Sequence, residues 1–156
     1  MRHVYRFLLC LLGTFATAAV GGYGSAMAKG FYASLQRPAW APPAWLFGPV
    51  WTCLYLMIAV AAFLAWSSGR AGRRELGVFV AQLALNALWP WIYFVWGSGL
   101  WSFIEIVALW ALIATNVALF WRCSRAAGML LLPYLLWVSF ATALTWATWR
   151  LNPGVL

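Results

Sequence analysis

The side chains best suited to chemistry are amides, indoles and phenols that recur at helical intervals within long apolar segments. Gln82, Asn86, Trp89 and Tyr93 follow the spacing i, i+4, i+7, i+11, so they project from one stripe of a helix. Amides and hydroxyls that face lipid lack hydrogen-bond partners, so we expect this stripe to point toward other helices or a cavity. Such groups offer hydrogen bonds and ring stacking to a bound molecule.

Two further segments repeat this pattern. Trp51 and Tyr55 lie one turn apart, and a later stripe holds Tyr134, Trp137, Ala141 and Thr145. Aromatic walls from three helices can enclose a flat hydrophobic molecule. The alternative is structural, because Trp and Tyr gather at membrane interfaces and a buried Asn often joins helices. Spacing alone supports a ligand pocket and ordinary packing about equally.

Other chemistries lack the residues they need. Cys10, Cys53 and Cys123 lie in separate segments without a C-x-x-C pair, which predicts neither a zinc site nor a disulfide framework. His3, the single histidine, lies in the N-terminal tail, so the commonest haem ligand is missing from the membrane interior. The sequence also contains no Walker, G-x-S-x-G or H-E-x-x-H motif. We therefore predict no metal site and no required cofactor.

Composition indicates which elements position these stripes. The chain of 156 residues is 66% hydrophobic and only 8% charged, too little charge for a water-soluble domain. A helix needs roughly 20 apolar residues to cross about 30 Å of hydrocarbon. The apolar windows, with a turn at Gly97-Ser98-Gly99, predict spanning helices near 5–25, 44–66, 75–96, 100–121 and 128–150. The expected fold is an all-α integral membrane protein, a single five-helix domain over 1–156 with a long loop over 26–43.

The first segment also has an interpretation as a cleavable signal peptide, because Arg2, His3 and Arg6 precede an apolar run that ends in Ser25-Ala26-Met27-Ala28. Its apolar run exceeds the roughly 7–15 residues of a signal core. Small residues also recur at helical spacing in two ladders: Gly13, Thr17, Gly21 and Thr14, Ala18, Gly22. Such ladders let helices approach closely, which favours a retained helix that packs within the bundle or in a homodimer.

Positive charge divides unevenly between the two sides of the predicted bundle. The side of the N-terminus carries seven arginines: Arg2, Arg6, Arg70, Arg73, Arg74, Arg122 and Arg125. The other side carries three cations: Lys29, Arg37 and Arg150. The positive-inside rule then predicts a cytoplasmic N-terminus, in what we expect to be a bacterial cell membrane. The net charge of +8 indicates contact with anionic membrane lipid, while no loop is large enough to bind nucleic acid.

Glu105 is the one acid between Leu76 and Trp121. An acid within a membrane segment is a functional candidate, and it is the residue that a small proton-coupled exporter could use to carry protons. Because Glu105 follows the turn at Gly97-Ser98-Gly99 by only a turn or two, its position slightly favours a solvated site at the membrane interface. Asn116 lies on roughly the same helix face.

Three motifs together resemble the TspO/MBR family across essentially the whole chain. They are Arg37-Pro38-Ala39-Trp40-Ala41-Pro42-Pro43-Ala44-Trp45-Leu46-Phe47 with Val50-Trp51-Thr52-x-Leu54-Tyr55, then Gln82-Leu83-x-x-Asn86-x-x-Trp89-Pro90, and Pro133-Tyr134-Leu135-x-Trp137 with Phe140-Ala141-Thr142. The resemblance implies a five-helix bundle, commonly dimeric. It also implies a cavity that binds porphyrins such as protoporphyrin IX, isoquinoline and benzodiazepine drugs and, in animals, cholesterol.

The same resemblance assigns roles to individual residues. Trp51 and Asn86 match positions that hydrogen-bond a ligand. Four matches form apolar walls: Phe47, Trp89, Trp137 and Ala141. Four more form a lid: Tyr32, Trp40, Pro42 and Pro43. Tyr55 joins the predicted ligand-binding set through its stripe with Trp51. Some bacterial members degrade protoporphyrin IX in light and oxygen, which implies Trp51 and Trp137 as the catalytic candidates.

The chain departs from the family near its C-terminus. The proposed cholesterol-recognition pattern needs a tyrosine between Leu144 and Arg150, and Trp146 stands there instead, so sterol binding at this end is doubtful. Three functions remain as hypotheses, in decreasing order of support. They are a porphyrin-binding receptor or carrier, an enzyme that oxidises the bound porphyrin, and a small proton-coupled exporter.

Overall fold

The computed structural model of the chain describes residues 2–27 and 30–156. Ala28 and Lys29, which belong to the predicted lid loop and the charge pattern, lie outside the described residues. Within the described ranges the chain is helical, in six α-helices and one π-helical turn. The helices are α1 (Arg2–Met27), α2 (Phe31–Ser34), α3 (Ala44–Ser67), α4 (Arg73–Pro90), α5 (Gly99–Cys123) and α6 (Arg125–Leu151), and the π-helical turn is Trp91–Val95.

Five of these helices are long and apolar enough to cross a membrane, namely α1, α3, α4 with its π-helical turn, α5 and α6. This confirms the predicted five-helix bundle, and the predicted bounds differ from the observed ones by three residues or fewer. The spanning helices form a ring in the order α1, α3, α6, α5, α4. The ring is closed because α4 packs against α1. Neighbours in the ring are thus not always neighbours in sequence, since α3 and α6 are packed side by side.

Small residues set how closely α1 approaches α4. Thr17 and Gly21 of the predicted ladder are buried. A Cβ atom on Gly21 would lie 3.4 Å from Cγ of Pro90, and one on Gly24 would lie 3.1 Å from Nε1 of Trp91. The small side chains therefore serve packing within the bundle, while Gly13 remains exposed.

The end of α4 shows why the third crossing changes its winding. Pro90 lies inside the helix and has no N–H to donate, and the following residues form a π-helical turn in which Trp96 N–H donates to the Trp91 carbonyl at 2.9 Å. Gly97 then adopts φ of 58°, a left-handed conformation that glycine accepts without strain. The predicted turn at 97–99 is thus confirmed, and α5 begins at Gly99.

Candidate functional site

A cavity of about 490 Å³ lies at one end of the bundle, where α1 and α4 end and α3 begins. All five spanning helices contribute to its wall, mainly α1, α3, α4 and α6. Eight predicted ligand-binding residues line it: Tyr32, Phe47, Trp51, Tyr55, Asn86, Trp89, Trp137 and Ala141. The described lining residues carry no charged side chain. The space is large enough for a small-molecule ligand and is mostly apolar, as such sites usually are.

A chain of hydrogen bonds forms the polar floor of this cavity. The Tyr55 hydroxyl donates to Asn86 Oδ1 at 2.6 Å, and Asn86 Nδ2 donates to the Tyr134 hydroxyl at 2.8 Å. The Tyr134 hydroxyl in turn donates to Gln82 Oε1 at 2.9 Å. The predicted inward direction of both polar stripes is therefore correct. Since an amide has two N–H groups and two acceptor sites, Asn86 keeps capacity to bind a ligand.

Aromatic rings in edge contact hold the walls apart. Trp51 packs on Tyr55 with ring centroids 5.4 Å apart and meets Tyr134 edge-on at 6.2 Å. On the same two helices, α3 and α6, and one turn nearer the loop, the Trp137 ring meets Phe47 edge-on at 5.9 Å. Large rigid rings in such contacts do not collapse into the space between them. Trp51 and Trp137, which the family resemblance implicates in porphyrin degradation, thus both face the same cavity.

Trp89 and Tyr93, in α4 and its π-helical turn, form another wall. Their rings stack at 4.9 Å with planes 15° apart, and the Trp89 N–H donates to the Ser102 carbonyl at 3.2 Å. The Tyr93 hydroxyl bonds to the Thr148 hydroxyl at 2.8 Å. Because both polar groups already have partners in the protein, this wall presents mainly ring surface to a ligand.

The loop between α1 and α3 covers the cavity and is fastened to the end of α6. Asn152 Oδ1 accepts from the Gln36 main-chain N–H at 2.8 Å, and Asn152 Nδ2 donates to the Gln36 carbonyl at 2.8 Å. In the same loop, the Tyr32 ring meets the Phe47 ring edge-on, with ring centroids 5.6 Å apart. The Asn152 side chain thus pairs with both polar groups of the Gln36 backbone, in the manner of a neighbouring strand.

Tyr32 is the lid residue that reaches into the cavity. The Arg37 guanidinium lies 5.0 Å from the centroid of its ring. Burial raises the pKa of the Tyr32 hydroxyl, and the positive charge of Arg37 opposes that shift only in part, so the phenol is protonated at neutral pH. The other predicted lid residues, Trp40, Pro42 and Pro43, lie in the same loop but outside the cavity wall. Trp40 instead packs on Phe140 at 5.7 Å.

Sequence reasoning missed the contribution of α1 to the cavity. Five of its residues line the space: Phe15, Ala18, Gly21, Gly22 and Ser25. Gly22 and Ser25 are exposed, as are Gly48 and Thr52 on the facing side of α3, so the cavity reaches the bundle surface between α1 and α3. Small residues at helical spacing signal close packing, and nothing in their type distinguishes a packed face from a cavity wall.

Two polar side chains of α5, Glu105 and Asn116, are buried within the bundle. The prediction that Glu105 favours a solvated interface is wrong, because its side chain is only 8% exposed and faces the bundle interior. Neither Glu105 carboxylate oxygen has a hydrogen-bond partner among the described residues, and the same holds for both amide atoms of Asn116. A helix position near a turn does not fix exposure, because the neighbouring helix can cover it.

Comparison with known proteins shows relatives that span most of the chain. Residues 7–150 match the sequence profile of the TspO/MBR family. The tryptophan-rich protein TspO of Chlorobaculum tepidum is 40% identical over 142 residues, 86% of this chain and 90% of its own. The translocator protein of Homo sapiens is 36% identical over 129 residues, 80% of this chain and 76% of its own. A tryptophan-rich sensory protein of Cereibacter sphaeroides is 33% identical over 122 residues, 78% of this chain and 77% of its own.

Proposed function

The chain belongs to the TspO/MBR family, and we propose that this multi-pass integral membrane protein binds protoporphyrin IX and related flat hydrophobic molecules in its aromatic cavity. The observation that carries this proposal is an uncharged hollow of about 490 Å³ whose mostly apolar walls include indole and phenol rings. A flat ring system can stack on Trp51 and Trp89 while Asn86 supplies hydrogen bonds from the floor. Membrane lipid surrounds the bundle and is the medium that delivers such an apolar ligand.

The biological role that we propose for this binding is sensing. A relative from Cereibacter sphaeroides is named a tryptophan-rich sensory protein, which supports a role in detecting rather than consuming the ligand. The cavity is covered by a loop that the C-terminal end of α6 fastens, so occupancy of the cavity can change how this loop is held. Such a coupling lets a partner outside the bundle detect the ligand through the loop.

Equilibrium quenching of tryptophan fluorescence by protoporphyrin IX tests the binding proposal. We expect saturable quenching by the purified protein in detergent, and about tenfold weaker binding after Trp51→Phe or Asn86→Ala, since each change removes a polar contact from the cavity. Trp121→Phe is the matched control, because this exposed tryptophan lies outside the cavity wall. Unsaturable quenching, equal in all variants, would show partition into detergent and contradict the proposal.

A second candidate is a light-driven oxidation of the bound porphyrin, with dioxygen as the oxidant. The observation in its favour is that Trp51 and Trp137, two oxidisable indoles, line the same cavity. Illumination of the complex in air then bleaches the porphyrin absorbance and yields a new product. Loss of the product in the Trp51→Phe, Trp137→Phe double variant, measured at porphyrin concentrations that saturate its weaker binding, distinguishes catalysis from binding alone.

The third candidate is a proton-coupled exporter, and the observation in its favour is the buried acid Glu105. Its carboxyl group is enclosed in the bundle and has no hydrogen-bond partner among the described residues. A carboxyl in that setting can exchange a proton when a ligand or water reaches it. Efflux of porphyrin from proteoliposomes that persists after Glu105→Gln excludes this function.

A further inference from the structure

The two ends of the cavity differ in how well their polar groups are satisfied. At the floor, Asn86 forms hydrogen bonds with both Tyr55 and Tyr134. Toward the lid, the Tyr32 hydroxyl and the Trp137 indole N–H are buried, yet neither has a hydrogen-bond partner among the residues that the structure describes. Both residues line the cavity. An indole N–H is a donor only, so the group that it lacks is an acceptor, which a bound ligand can supply.

These two donors flank a common ring. Tyr32 and Trp137 both meet Phe47 edge-on, with centroid distances of 5.6 and 5.9 Å and interplanar angles of 76° and 72°. They therefore lie on neighbouring parts of one wall, at the mouth of the cavity beneath the loop. A ligand that presents acceptors along one edge can reach both groups at once.

Arg37 is a cation in contact with this wall. Its guanidinium lies over the Tyr32 ring at 5.0 Å from the centroid. The chain has only two acidic side chains, and neither forms an ion pair with Arg37: Glu75 lies at the start of α4 at the opposite end of the bundle, and Glu105 is buried without a partner within the described part of the chain. The guanidinium is thus available, and its planar set of donors suits a carboxylate.

We propose that the lid end of the cavity is a carboxylate subsite, in which Tyr32, Trp137 and Arg37 bind acid groups carried on one edge of a flat apolar ligand. The subsite deepens the proposed function, on which it rests, because the two propionates of protoporphyrin IX lie on one edge of its ring. The ring then enters with its apolar edge toward Asn86 and its acid edge beneath the loop. The protein selects porphyrin acids over neutral flat molecules of the same size.

The dimethyl ester of protoporphyrin IX tests this subsite, since it keeps the ring and removes both charges. The measurement is the ratio of the dissociation constants for ester and acid, obtained by fluorescence quenching in one detergent. Partition into detergent affects each porphyrin equally in every variant, so it cancels when ratios are compared between variants. We expect the ratio for the unaltered protein to exceed that of the Tyr32→Phe, Arg37→Gln double variant by about tenfold.

Matched controls separate the subsite from general effects of charge and of phenol loss. Tyr5→Phe and Arg74→Gln change the same residue types near the opposite end of the bundle, and both should keep the unaltered ratio. Arg37→Lys keeps the charge but loses the planar donor set, so its ratio should fall between that of the unaltered protein and that of an Arg37→Gln single variant measured beside it.

The possible outcomes separate the subsite from the binding function. If acid and ester bind with the same ratio in the unaltered protein and in the double variant, the carboxylate subsite is wrong while porphyrin binding stands. If neither porphyrin binds, the proposed function fails and the subsite fails with it. A ratio that falls in the double variant and holds in both controls supports the subsite.

Discussion

The two ends of the five-helix bundle are built from the same helices but from side chains of different size. At the closed end, α3 contributes Ala61, Ala62 and Ala65, each no more than 6% exposed, and Phe79 stacks on Phe120 at 5.8 Å. At the cavity end, the same helices and their neighbours contribute Trp51, Trp89 and Trp137. Alanine lets helix backbones approach until the interior is filled, whereas large rings braced against one another leave a hollow.

This difference in side-chain size accounts for the filled interior at one end and the hollow at the other. The ring of helices is continuous from one end to the other, and α1 still packs at the closed end, where Phe7 meets Phe63 at 5.4 Å. Stability should therefore depend mainly on the closed end and ligand binding on the cavity end. Substitutions of one type, made at both ends, can separate the two properties.

Ala61→Phe should have the largest effect on stability. Ala61 is fully buried in the core, so a phenyl ring there forces helices apart, at a cost of about 3 kcal/mol or more. Thermal unfolding in detergent, followed by circular dichroism, should show a much lower midpoint. Ala108→Phe on the exposed face of α5 is the control and should leave the midpoint unchanged. Equal midpoints for all three proteins would contradict a filled closed end.

Ala141→Phe makes the same change at the cavity end and should have the opposite result. Ala141 lines the cavity, so the added ring enters empty space and leaves the unfolding midpoint nearly unchanged. Protoporphyrin binding should weaken by about tenfold or more, because the ring occupies the volume that the ligand needs. Ala143→Phe, two residues along and facing outward, is the control. Unaltered binding by Ala141→Phe would place the ligand elsewhere.

Tyr134→Phe tests the hydrogen bonds that join the cavity floor to the core. The change leaves Asn86 Nδ2 and Gln82 Oε1 without their shared partner, which costs about 1–3 kcal/mol for buried groups. The unfolding midpoint should fall less than for Ala61→Phe. Adding Gln82→Leu should recover part of the loss, since one unpaired acceptor is then removed. If the double variant unfolds at the same midpoint as Tyr134→Phe, the hydrogen bond between Tyr134 and Gln82 does not contribute to stability.

Much of this architecture could be predicted because apolar length and periodicity are local properties. The five spanning helices follow from uncharged windows, and the inward direction of Gln82, Asn86, Tyr134 and Trp137 follows from their spacing. The four-residue helix α2 and the π-helical turn after Pro90 were not predicted, since each depends on how the chain packs beyond its own sequence.

Contacts between distant residues account for most of what sequence reasoning missed. Gln36 and Asn152 are 116 positions apart, and no periodicity links them. Glu105 was placed at an interface because of its nearby turn, but packing of neighbouring helices buries it. The share of α1 in the cavity wall was missed for a related reason, because a small residue is equally suited to a packed face and to an open one.

Asn152→Ala should have the smallest effect and acts on the cavity end alone. It removes both hydrogen bonds to the Gln36 backbone, so the loop opens more often while the core keeps its packing. We expect protoporphyrin to dissociate about fivefold faster in stopped-flow measurements, with little change in the unfolding midpoint. Asn152→Asp keeps the acceptor for the Gln36 N–H but loses the donor, so its rate should lie between the two. Equal dissociation rates for all three proteins would mean that the ligand leaves by a route other than the loop. The structure shows such a route at the opening between α1 and α3, beside Gly22 and Gly48.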